Sequence, residues 1–139
     1  MLKAGVSYRD YSARVLDAKV ASDRMPTTNI EAKKAVELAT EFYVIASAAW
    51  NAGLMRPGSP SAEAQYAQAG RNPLVKECPG MWAQIQKVES NWATMSRPAN
   101  APPPPPEPVR HGQTISFKKE LLWSCASERI AEAERLLKQ

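Results

Sequence analysis

The side chains whose type most readily suggests a nucleophile, base or metal ligand are Cys78, Cys125 and the single histidine, His111. A metal site draws on several His, Cys or carboxylate ligands at close spacing, and a nucleophilic site needs a base beside its nucleophile. The two cysteines are 47 residues apart in no metal-type pattern, and His111 follows a proline run in Val-Arg-His-Gly-Gln. Two free thiols packing as small apolar residues, and a solvated linker histidine, are therefore the expected roles. A disulfide would require an oxidising compartment and a fold that brings the pair together. Cys78 stands just before Pro79-Gly80 at an expected helix start, where a thiol pKa can fall. With no base near it in sequence, catalysis there is not expected. The chain has no Gly-rich phosphate loop, no paired-Cys zinc pattern and no isolated carboxylate pair in an apolar setting. The expectation is a non-enzyme with no cofactor, no metal and no small-molecule substrate.

The elements that would position these groups read as helices. The central one starts at a Thr28-x-x-Glu31 capping box, after Pro26. Ala35, Leu38, Phe42, Ile45, Ala49 and Ala52 then recur at spacings of three and four, a single helical stripe. Gly53 is expected to close that helix in the left-handed conformation. From Phe42 to Trp50 the residues are apolar or small nearly all round, so several neighbours should cover them. Before it, Tyr8, Tyr11, Val15, Ala18, Ser22 and Met25 predict a first helix, making a hairpin over 7–52. After it, Ser59-Pro60 and Gly70 bound a short, mostly exposed Ala/Gln-rich helix. Met81, Ile85, Val88, Trp92 and Met95 stripe a firmer one over 80–96, with Trp82 alongside.

Of the twelve prolines, seven fall between Pro98 and Pro108, five of them in the unbroken run Pro102–Pro106. Such a run lacks N–H donors and favours stiff polyproline II. It predicts an extended linker over 98–115, read as a strap over a surface in preference to a ligand for an SH3- or WW-type groove. An amphipathic helix over 116–139 follows, striped by Trp123, Ala126, Ile130, Ala133 and Leu137 and widened by Phe117. The predicted fold is all-α: a helical bundle over 1–97, the linker, and a C-terminal helix free to dock elsewhere.

At 139 residues and 44% hydrophobic, the chain can bury a real core. The net charge of +4 invites a nucleic-acid reading. Its surplus is spread as +2, 0, +1 and +1 over residues 1–25, 26–56, 57–97 and 98–139, with acids interleaved. A phosphate-binding face needs clustered cations, so RNA binding on a ribonucleoprotein particle is the alternative and not the lead. That alternative requires Arg9, Arg14, Lys19, Lys33, Lys34 and Lys87 to converge. The apolar stretch from Phe42 to Met55 is too short to span a bilayer. The N-terminus shows no continuous apolar run for a secretory signal; Lys3, Arg9 and Arg14 lend it a presequence flavour that Asp10, Asp17 and Asp23 oppose.

The expectation is thus a non-catalytic accessory subunit of a larger protein assembly. Its setting is read as intracellular, a mitochondrial complex first and a phage or bacterial particle second. Its partners are other protein subunits, met through Trp82, Trp92, Met95, Phe117, Trp123, Ile130 and Leu137.

Overall fold

The longest element, α1 (Ile30–Leu54), lies at the centre of the structure, a computed structural model that describes residues 30–137. Its predicted stripe is inside: Phe42, Ile45, Ala49 and Ala52 are buried, and Leu38 is half-buried. Ala39, Tyr43 and Ala46 are buried as well, which widens the covered face beyond one neighbour's reach. Three helices supply the cover: α2 (Pro60–Arg71), α4 (Glu107–Phe117) and α5 (Glu120–Leu137). Between them run a short 3-10 helix, Pro73–Glu77, and α3 (Pro79–Thr94), which packs chiefly on α4 and the 3-10 turn. Among the described residues there is no strand, and the all-α fold is as expected. The capping residue Thr28, the expected first helix of the 7–52 hairpin, and Arg9, Arg14 and Lys19 lie outside the described residues.

Four expectations are corrected. The linker predicted over 98–115 ends at Pro106, because α4 begins at Glu107. Pro108 sits in the first turn, where a missing N–H costs nothing, and Glu107 faces the positive end of the helix dipole. The C-terminal helix predicted over 116–139 is interrupted: α4 stops at Phe117, Lys118 leaves helical geometry (φ −120°, ψ 34°), and α5 starts at Glu120. Nor does that helix stand apart on a spacer. Leu122 and Ala126 are fully buried in the same core as Phe42 and Ile45, and Ala133 packs on Ala32 and Ala35 further along. Gly53, finally, does not cap α1; among the described residues the left-handed glycine is Gly58 (φ 77°), in the following turn.

The contact between α2 and α4 explains how an alanine-rich helix, half of whose residues are exposed as expected, still packs one face inside. Ala62, Ala67 and Ala69 are buried, and the backbones themselves meet at two glycines. A Cβ on Gly112 would overlap the Tyr66 carbonyl and lie 2.6 Å from Tyr66 Cα. A Cβ on Gly70 would overlap the Pro108 carbonyl and come within 2.9 Å of Gly112 N. Asn51 Nδ2 donates to Gln65 Oε1 at 2.6 Å, fixing α1 against α2. Ser59 Oγ accepts from Ala62 N at 3.2 Å and so caps α2 as its Ser-Pro start predicts.

The cysteines meet. Cys78, at the N-terminal edge of α3, and Cys125, on α5, form a disulfide with Cα atoms 5.9 Å apart, which overturns the free-thiol reading. Cys78 is fully buried, so its sulfur is neither exposed nor available as a thiolate.

Candidate functional site

The seam between α3 and α4 carries a cluster of polar and aromatic side chains. The seam is held by one ion pair. Glu89 on α3 accepts from Arg110 on α4 twice, Nε to Oε2 at 2.8 Å and Nη2 to Oε1 at 2.6 Å, the two-pronged geometry that suits a guanidinium. The third arm, Nη1, donates to the Pro105 carbonyl at 2.7 Å and so fixes the end of the proline run to the same clamp. The bond from Arg110 holds the Glu89 carboxyl below the usual carboxylate range, against partial burial that pushes the other way.

The sign of the pH effect follows. Glu89 has a folded-state pKa below its ordinary 4.5, so its stabilisation is complete above that value. It is lost as pH falls through the lowered folded value. Glu89→Gln is therefore expected to cost about 1–2 kcal/mol at pH 7 and to remove that part of the acid limb. Denaturant melts of both forms from pH 7 down to pH 3 check this; parallel curves would contradict it.

His111, expected to be a solvated linker residue, is buried on α4. Its Nε2 is 3.5 Å from Glu89 Oε1 and 3.8 Å from Glu107 Oε1, and its ring meets Trp82 edge-on at 6.0 Å between centroids. A pocket of about 260 Å³ of mixed lining lies beside it, walled by Arg71, Val75, Lys76, Trp82 and Glu107, with the Lys76 ammonium 5.2 Å over the Trp82 ring. Among the described residues no group of three or more His, Cys, Asp or Glu could hold a metal ion.

Along the same seam runs an apolar groove of about 200 Å³, lined by Val88, Trp92 and Phe117 with Gln84, Gln113 and Arg110 at its rim. Phe117 is 78% exposed and Met95, just past the end of α3, is 52% exposed. This groove brings two of the seven expected partner-binding residues together, Trp92 and Phe117. Three others turn inward. Trp82, Trp123 and Ile130 are half-buried and packed on the core, Trp123 against Trp50 with 5.8 Å between ring centroids. Leu137 is exposed at the end of α5, away from the groove's lining.

Val88 was visible in the helical stripe of its segment, but the Glu89–Arg110 clamp carries no signal in the sequence. Its partners are 21 residues apart across the proline run. The required cations are likewise placed on separate elements, Lys33 and Lys34 on the first turns of α1 and Lys87 on α3. Lys34 shares its pocket with Glu31, Glu132 and Arg129.

No family model, curated protein or solved structure matches the chain. No helix among the described residues is long and apolar enough to cross a membrane.

Proposed function

We propose that the protein is a non-catalytic accessory subunit that docks on a partner protein through the groove between α3 and α4. The observation that carries this reading is Phe117, a phenyl ring 78% exposed beside half-buried Trp92 and Val88. Leaving such a ring in water is unfavourable unless something covers it, and Trp, Phe and Met are the residues enriched where proteins meet. The occupant that fits is an apolar side chain from a partner subunit, seated between Trp92 and Phe117, with Gln84 and Gln113 bonding to the partner's backbone at the rim. The C-terminal helix, whose Trp123 and Ile130 are engaged at home, contributes structure and not contact. The disulfide supports assembly in an oxidising compartment, which the cytosol is not.

Mild purification of the full chain from its source cells tests this. The expected result is a complex of fixed stoichiometry that Phe117→Ser dissolves. Because Phe117 is exposed, that variant should melt within about 2 °C of the parent. A chain that returns as a monomer, or a complex indifferent to Phe117→Ser, would refute the docking groove.

A further inference from the structure

The proline run is the one sequence motif that the groove leaves unused, and the structure removes the reason for calling it a packing strap. Pro102, Pro103, Pro104 and Pro106 are exposed, and Pro105 alone of the five is half-buried. A strap would turn its rings onto the body of the protein. Here most of the rings face solvent, and among the described residues no donor reaches the carbonyls of Pro102, Pro103 or Pro104.

The run follows a local turn and is anchored at its far end. Ala101 N donates to Pro98 O at 3.0 Å, closing a turn before it. At the far end, Arg110 holds the Pro105 carbonyl, and Pro106 (φ −56°, ψ 153°) leads into α4. Those angles lie in the polyproline II region, the conformation an unbroken proline run favours, with three residues per turn. In that conformation Pro102 and Pro105 share one edge of a three-sided rod, Pro103 and Pro106 the second, and Pro104 the third. The first edge is the one whose Pro105 is half-buried and clamped. The other two face outward over about 15 Å of rod.

We infer that this rod is a recognition element for a partner domain with an aromatic-lined groove of the kind that reads polyproline II. Such grooves seat two of the three edges between parallel rings, and their Trp and Tyr donors bond to the carbonyls, which no donor among the described residues reaches at Pro102, Pro103 or Pro104. Clamping at Arg110 gives the rod a preformed, low-entropy conformation, so little ordering opposes binding. The inference stands apart from the α3–α4 groove, because it uses no residue of that groove's apolar lining.

The test uses the full chain, immobilised, with purified SH3, WW and EVH1 domains as probes. Binding by at least one domain type, weakened tenfold or more in the P103A/P104A variant at unchanged melting temperature, is the expected result. Phe117→Ser should bind the same domain as the parent does, which separates this outcome from failure of the docking groove. No binding tighter than about 1 mM by any probe, or equal binding by P103A/P104A, overturns the inference.

Discussion

Gly112→Ala is expected to destabilise the fold by about 2–3 kcal/mol, although alanine is the better helix former by about 1 kcal/mol. The added methyl would overlap the carbonyl of Tyr66 and approach its Cα to 2.6 Å. Backbone cannot rotate aside as a side chain can, so α2 and α4 must separate and the buried alanines between them must open. Gly80 is the matched control. A Cβ there meets Leu121 Cδ2 at 3.8 Å, an ordinary contact, so Gly80→Ala should be neutral or mildly stabilising. Chemical denaturation of the two variants beside the parent checks the pair. Equal midpoints for Gly112→Ala and the parent would mean that the two helices do not meet backbone to backbone.

Removal of the disulfide in the Cys78→Ala/Cys125→Ala double variant should cost about 4 kcal/mol. That figure is the chain-entropy estimate for a cross-link between residues 47 apart in sequence. For a chain of this length it corresponds to a fall in melting temperature of roughly 10–15 °C. Replacing both residues avoids leaving a lone buried thiol, since Cys78 is fully buried. The same loss should follow when the parent is unfolded in the presence of a reductant. Coincident melts with and without reductant would show that the bond contributes nothing.

What could be read from the residues alone was whatever repeats with the helical period. Phe42, Ile45 and Ala49 on α1, and Met81 and Ile85 on α3, are buried where their three-four spacing puts them. Hydrophobic periodicity reports which face of a helix is covered, and nothing about which helix covers it. The α2–α4 contact escaped for that reason. Its currency is smallness, and alanines and glycines leave little hydrophobic signal while permitting the closest approach. Both Pro108 and Gly112 fall inside the expected linker, yet Pro108 lies in a permissive first turn of α4 and Gly112 is demanded by Tyr66 across the interface.

The candidate surface was legible only in part. Trp92 and Phe117 belong to segments whose apolar stripes were plain, but their meeting depends on the Glu89–Arg110 clamp, a pairing between distant positions. His111 became a buried residue for the same reason: its setting is supplied by Trp82 and Glu89 on another helix.

The bond between Cys78 and Cys125 also closes a covalent ring that contains α3, the whole exposed proline segment and α4. A protease that severs the chain anywhere from Met95 to Pro106 therefore releases no fragment. The two pieces stay one molecule until the sulfurs are reduced, so this exposed segment is one the protein can survive having cut.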